Sequence, residues 1–251
     1  MSTRTSVRGT IQGMGSRANP AFAAGAVAVP VLALAYVVTM GTVRQHTYVH
    51  VMAGVLWTGI DLFMAAVLGP VLGGLDVEAR ADVFQRFTPK MTFLMPMLAL
   101  VTIVGGITLA LRLGRFPNAD PWLAIMNAAI VVPALLLIGY QFRAFDDRRW
   151  QAVFAVATVA SVAYLAVTLP GFAMTSPVVA VSLGLVVVLS VLGFGVLLPG
   201  EVLMYTEMTS ADPNTRRIAD IGMRNAKLAG VQGLFQLTIV FVMVSLRWGG
   251  F

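Results

Sequence analysis

The chain has 251 residues, of which 58% are hydrophobic and 11% charged, and its mean hydropathy is +0.85. This composition excludes an ordinary soluble globular protein and is typical of a polytopic membrane protein. Cysteine is absent, which excludes disulfides and thiolate metal sites. The net charge of +6 lies in short segments between apolar runs, so it indicates a lipid bilayer rather than nucleic acid as the partner.

Seven apolar segments are long enough to span about 30 Å of hydrocarbon, so the predicted fold class is an all-α, polytopic transmembrane helix bundle. In chain order they are Ala21–Met40, Tyr48–Leu72, Met91–Leu113, Pro121–Tyr140, Trp150–Pro170, Pro177–Leu198 and Leu228–Leu246. Residues 1–20 are predicted to be a cytoplasmic tail, and residues 21–251 a single transmembrane domain. The short connection Gly171–Ser176 predicts a tight hairpin of the fifth and sixth helices.

The Lys and Arg residues are distributed unevenly between the two sets of connecting segments. Segments on the side of the N-terminus hold 13 of the 17 basic residues, and the alternate segments hold 4. Cytoplasmic loops carry the excess of positive charge, so the N-terminus is predicted inside and the C-terminus outside. The predicted location is the cytoplasmic (inner) membrane.

The second predicted helix carries a polar stripe formed by His46, His50, Trp57 and Asp61. At about 100° per residue these four side chains share one face of the helix. Ionisable groups inside a bilayer are costly and are functional-site candidates for that reason. The topology places the histidines near the outer end and Asp61 about 16 Å deeper. We predict that Asp61 exchanges protons, and that it is protonated or paired with a donor on a neighbouring helix.

Soft ligands are predicted near the same outer end. Met40 ends the first helix there, and Met126 and Asn127 lie about one and a half turns into the fourth. Imidazole and thioether together suit haem iron or Cu(I). The alternative is that the methionines only pack and that the histidines are solvated or hydrogen-bonded residues. The candidate metal ligands are Met40, His46, His50 and Met126, and the candidate cofactor-binding residues are His46, His50, Trp57, Met126 and Asn127.

Three polar residues fall near or beyond the inner half of the later helices. Glu201 and Glu207 follow the Pro199-Gly200 pair, which normally marks a helix end at an interface, so we expect both glutamates to be solvated loop residues. Gln236 lies in the middle of the last helix, where it is predicted to form an interhelical hydrogen bond.

The chain also contains a candidate internal repeat. Val67-Leu-Gly-Pro70 and Val196-Leu-Leu-Pro199 each end a helix and precede a charged loop and a long apolar helix. This pattern predicts a duplicated two-helix unit over residues 48–114 and 177–249. The alternative is that any two helical hairpins in a membrane share such helix-ending residues and charged loops.

From Val49 to Tyr140 the chain resembles a known membrane superfamily. The residues that carry the resemblance are His50, Trp57, Thr58-Gly59, Phe87-Thr-Pro-Lys90-Met91, Gly105-Gly106, Thr108-Leu-Ala-Leu111, Trp122-Leu123 and Gly139-Tyr140. The superfamily holds the HemJ-type protoporphyrinogen oxidases and the copper-resistance protein D domain. In the HemJ-type enzymes the helix-start histidine serves haem b, which the resemblance implies for His50. Those enzymes also carry a lysine shortly after the Trp-Leu pair, where this chain has Met126 as a candidate ligand.

Three functions remain open on these grounds. The first is a haem b protein in electron transfer or small-molecule redox chemistry, as an oxidoreductase or one of its subunits, with a quinone or a redox partner protein. The second is a transporter of copper or another small solute with an outer His/Met site. The third is a structural subunit of a homo-oligomer or a larger membrane complex. A retinal protein is excluded, because the last apolar segment contains no lysine.

Overall fold

A computed structural model describes residues 7–248, and within that range every regular element is helical. The helices are α1 Val7–Ala18, α2 Pro20–Thr39, α3 Val43–Gly73, α4 Val77–Arg112, α5 Ala119–Phe142, α6 Arg148–Gly171, α7 Pro177–Met208 and α8 Thr215–Trp248. Helices α2 to α8 are each long and apolar enough to cross a membrane. This confirms the predicted all-α bundle of seven long apolar helices.

Local sequence signals set the helix starts. Thr42 and Gln45 form a reciprocal capping box at the start of α3, which satisfies backbone donors that the first turn leaves free. Asp76 caps α4, and Ser176 followed by Pro177 starts α7. The caps of α3 and α4 lie before the apolar segments, so these two helices begin earlier than the predicted membrane spans.

The largest differences from the predicted bounds occur at α1, α4 and α8. Helix α4 begins at Val77 rather than at residue 91, and α8 begins at Thr215 rather than at residue 228. Within the predicted N-terminal tail, Val7–Ala18 form helix α1, which packs on α4 with Met14 and Ala18 buried. Arg4 of the predicted tail and Gly249 of the second predicted unit lie outside the described residues.

Four helices form the centre of the bundle. Helix α8 contacts α3, α4 and α7, and α4 also packs along α3. Helix α2 packs against α3 and α4 on one flank, and α5 packs against α7 on the other, with α6 outside α5. The polar groups of the centre are therefore enclosed by apolar helices. The end of the bundle at which α3 begins is called the histidine end below, and the opposite end the Glu201 end.

The predicted tight hairpin of the fifth and sixth spans does not form, because α6 packs on α5, whereas α7 packs on α5 and α8. The connection between them crosses the end of α5 instead. Asn118 donates a hydrogen bond to the Gly171 carbonyl at 2.8 Å, and Trp122 donates to the Ala173 carbonyl at 2.9 Å. These bonds tie the connection to the start of α5 and keep α6 and α7 apart.

Two of the central helices contain one π-helical segment each. Met64–Leu68 interrupts α3 and Gly193–Leu197 interrupts α7. Each segment begins three residues after a buried polar side chain, Asp61 or Ser190, and each is followed by a proline at the second residue beyond its end. Such segments occur frequently at functional sites. The two lie at equivalent positions of the predicted repeat, which itself stays a prediction.

Two glycines allow α8 to lie close to α3. A Cβ at Gly230 would lie 2.5 Å from the Cβ of Ala65, and one at Gly233 would lie 2.8 Å from Leu62 Cδ2. Small residues at such positions let two apolar helices approach closely. This close approach brings the polar side chains of α8 to Asp61.

Candidate functional site: two buried carboxyl groups

Asp61 is fully enclosed between α3 and α8, with 1% of its surface exposed. Its Oδ2 accepts one hydrogen bond from Gln232 Nε2 and one from Gln236 Nε2, each at 2.9 Å. The two glutamines are four residues apart on α8, so both reach the same carboxylate oxygen. The predicted donor on a neighbouring helix and the predicted interhelical role of Gln236 are both confirmed.

Neutral amides are the described hydrogen-bond partners of the Asp61 carboxyl group. No lysine or arginine within residues 7–248 forms a salt bridge with it, since the described ion pairs are Arg86–Asp82 and Arg217–Glu207. A carboxylate that is removed from water without a cation keeps a large desolvation cost, and protonation or cation binding removes that cost. Asp61 is therefore a buried carboxyl group whose described hydrogen-bond partners carry no charge.

Glu201 is the second buried carboxyl group, and its predicted place in a solvated loop is wrong. Helix α7 continues through Pro199 and Gly200 to Met208, because the preceding π-helical segment shifts its backbone pairing. Glu201 Oε1 accepts a hydrogen bond from Asn225 Nδ2 of α8 at 3.2 Å, while Oε2 is buried without a described partner. Glu207 differs, because it pairs with Arg217 at 3.2 Å near the surface.

One cavity of about 80 Å³ joins the two carboxyl groups. Asp61 and Glu201 both line it, and among the described residues they are its only ionisable side chains. Asn225 lies seven residues from Gln232 on α8, so the two carboxyl groups are about 10 Å apart along the bundle axis. This volume exceeds the roughly 10–15 Å³ that a cavity needs to hold a water molecule. A short water chain between the carboxyl groups fits the cavity.

Glu201 is linked to the exposed surface by two polar side chains. Arg224, which is exposed, donates to Asn225 Oδ1 at 3.3 Å and to Gln141 Oε1 at 3.2 Å. Asn225 in turn donates to Glu201. Gly200 makes room for this arrangement, because a Cβ there would lie 2.6 Å from the amide of Asn225. The cavity is thus connected by hydrogen bonds to the Glu201 end of the bundle.

Both histidines are turned toward α4 rather than toward the cavity. His46 is buried, with its Nε2 lying 3.2 Å from Thr108 Oγ1 and its Nδ1 lacking a described partner. His50 Nδ1 lies 2.8 Å from the Thr102 carbonyl oxygen and so donates to it. The His50 ring lies on Gly106, where a Cβ would be 2.7 Å from Cε1.

The remaining predicted site residues do not gather around the histidines. Met40 is 78% exposed, and Met126 lies on α5, which packs on α6 and α7. Asn127 donates to Ser161 of α6 at 3.1 Å. Trp57 is buried, and it lines the cavity together with Asp61 rather than a site beside His50.

The histidine end provides two imidazole nitrogens without a described hydrogen bond, the buried His46 Nδ1 and His50 Nε2. A ring whose Nδ1 donates to a carbonyl presents Nε2 in the tautomer that binds metals. Within residues 7–248 no group of three His, Asp or Glu is arranged to hold a metal ion. The predicted haem and copper sites stay predictions.

Sequence reasoning did not find Asn225 and Gln232, although a usable signal was present. Asn225, Gln232 and Gln236 are spaced by seven and four residues, so they lie on one face of α8. A polar stripe of this kind in an apolar helix predicts a buried polar partner on a neighbouring helix. That partner is the Asp61–Glu201 pair.

The seven apolar helices indicate a multi-pass helical membrane protein, whose polar centre holds two buried carboxyl groups. Comparison of the chain with protein-family models, with curated proteins and with solved structures finds no match.

Proposed function

We propose that this chain is a multi-pass protein of the cytoplasmic membrane that moves protons across it. The observation that carries the proposal is the pair Asp61 and Glu201, two buried carboxyl groups on different helices that line one water-sized cavity. Chains of carboxyl groups and water inside a membrane are the usual components of proton relays.

The route begins at the Glu201 end, which the positive-inside rule assigns to the cytoplasm. Glu201 exchanges a proton with solution at the end of the bundle where Asn225 and Arg224 connect it to the surface. A proton then passes through cavity water to Asp61, where the amides of Gln232 and Gln236 hold the carboxylate in place. Each transfer moves one proton from one carboxyl group to the other, so that the donor becomes a carboxylate and the acceptor neutral.

Between Asp61 and the histidine end the proton route is closed in this conformation. Trp57 is 3% exposed and packs with Leu98, Ala99 and Leu189 between Asp61 and the histidine end. Opening toward that end needs movement of α3 or α7, and the π-helical segments beside Asp61 and Ser190 are the points at which these helices bend most readily. Release at the histidine end therefore follows a conformational change rather than a continuous channel.

Reconstituted vesicles test the proposal. With an imposed membrane potential and an internal pH-sensitive dye, we expect Asp61→Asn and Glu201→Gln each to reduce proton flux at least tenfold. The matched control is Glu207→Gln, which changes a glutamate on the same helix that is ion-paired near the surface. Wild-type flux that equals empty vesicles, or flux that both core variants retain, would contradict the proposal.

A second candidate is a haem b redox protein, favoured by the His50 tautomer that the Thr102 carbonyl selects. When bound, haem b would supply one-electron redox chemistry, and His50 Nε2 would hold it. An absorption spectrum of the purified protein checks this candidate, with His50→Ala as the variant that removes the Soret band.

A further inference from the structure

Three buried oxygen atoms on α7 and α8 have no hydrogen-bond partner within the part of the chain that the structure describes. They are Gln232 Oε1 and Gln236 Oε1, whose amides donate to Asp61, and Ser190 Oγ of α7. Each of these residues is 2% exposed. Buried polar atoms are nearly always satisfied in folded proteins, so three unsatisfied oxygens on two packed helices indicate a missing ligand.

The packing of α7 on α8 places these oxygens at the same level. A Cβ at Gly193 would lie 3.5 Å from Gln232 Oε1, which fixes the register of the two helices. The helices run in opposite directions. Ser190 lies about 4.5 Å from Gly193 toward the histidine end, and Gln236 lies about 6 Å from Gln232 in the same direction. Ser190 and Gln236 therefore face each other beside Asp61.

The chemistry of this set points to a hard cation. Carboxylate, amide and hydroxyl oxygens are the ligands that such ions prefer. A half-turn of a glutamine amide exchanges Nε2 and Oε1. The same side chain can therefore donate to an empty carboxylate and present its oxygen to an ion. Asp61 supplies one negative charge, which a monovalent ion neutralises, whereas a divalent ion would leave a net charge in a low-dielectric interior.

We propose that Asp61, Gln232, Gln236 and Ser190 form a binding site for one dehydrated monovalent cation. This cation site extends the proposed function. It rests on that function only because both proposals use the Asp61 carboxyl group. Coupling-ion sites of membrane transporters lie where helices are interrupted at the interface of two repeats. Asp61 and Ser190 both satisfy this description, since each lies three residues before a π-helical segment of its predicted unit.

Sodium is the probe for the test, used on the full chain purified in detergent. We expect radioactive Na⁺ to bind at one ion per chain and to raise the unfolding temperature relative to N-methylglucamine chloride. Asp61→Asn abolishes binding, and Ser190→Ala weakens it at least about tenfold, because a ligand to a charged group is lost. Ser182→Ala is the matched control, since this buried serine of α7 already donates to the Val178 carbonyl at 2.8 Å.

A proton and the ion compete for one carboxylate, so Na⁺ binding should weaken as the pH falls. Asp61 faces neutral side chains of α4 and α8, and Glu201 of α7 is the other ionisable group on the cavity wall. Glu201→Gln should therefore leave the binding and its pH dependence in place. Absence of Na⁺ binding in the wild type, or binding that Asp61→Asn and Ser190→Ala both retain, would overturn the inference.

The two proposals fail separately. Proton flux that depends on the carboxyl groups, without Na⁺ binding, would contradict the proposed cation site but not the proposed proton relay. The opposite result is Na⁺ binding at one ion per chain that Ser190→Ala weakens, without proton flux that depends on the carboxyl groups. It would contradict the proposed relay but not the proposed cation site.

Discussion

At the scale of single residues, the Asp61 carboxyl is a polar group that is costly to bury. Two amide donors offset part of its desolvation, and they depend on it in turn, because without Asp61 their N–H groups would be buried and unpaired. The group is therefore part of the folded structure as well as a candidate functional residue. Substitutions must separate these two roles.

Asp61→Leu should lower the free energy of unfolding by about 2–5 kcal/mol, because it leaves two buried donors unsatisfied. Asp61→Asn keeps an acceptor oxygen and should cost about 1–2 kcal/mol or less. Unfolding in mixed micelles measures both values. Asp82→Leu is the control, since Asp82 forms an exposed i,i+4 pair with Arg86 that contributes little. Equal stability of the Asp61→Leu variant and the wild type would contradict this account of the amide pair.

At the scale of elements, the contact of α8 with α3 determines whether the site exists. The glutamines reach Asp61 because Gly230 and Gly233 allow the two backbones to come close. Association of apolar helices gains little from the hydrophobic effect within lipid, so close van der Waals packing must stabilise it. A side chain at either glycine would push the amide donors away from the carboxylate.

Gly230→Ala should reduce stability by about 1–3 kcal/mol through overpacking against Ala65, and it should also lower proton flux. Gly184→Ala is the matched control in α7, because no atom lies within 4 Å of a Cβ built there. We expect Gly184→Ala to be neutral or slightly stabilising in the same unfolding assay. A Gly230→Ala variant as stable as Gly184→Ala would show that the α3–α8 contact can relax without loss.

At the scale of the whole molecule, orientation decides which side of the membrane the carboxyl pair serves. The cavity is connected to the Glu201 end and closed by packed side chains toward the histidine end. The distribution of basic residues predicts that the Glu201 end is cytoplasmic. The chain contains no cysteine, so single introduced cysteines report on each end without background.

Met174→Cys should react with a membrane-impermeant maleimide in intact cells, because Met174 is exposed at the histidine end. Ser210 lies in the exposed connection between α7 and α8. The Ser210→Cys variant should therefore react only after the cells are opened. The unmodified chain is the control and should show no labelling. The opposite pattern would reverse the topology and place the Glu201 opening outside.

The sequence by itself determined the all-α class and the seven apolar helices, and it singled out Asp61, because hydrophobic length and a lone deep carboxyl are local properties of the chain. It also predicted a partner for Asp61 and the role of Gln236. Tertiary structure alone decided that Glu201 shares the cavity of Asp61, and that the histidines turn away from it toward α4. Those facts depend on how helices distant in sequence approach each other, which is set by glycine contacts and π-helical segments that hydropathy does not record.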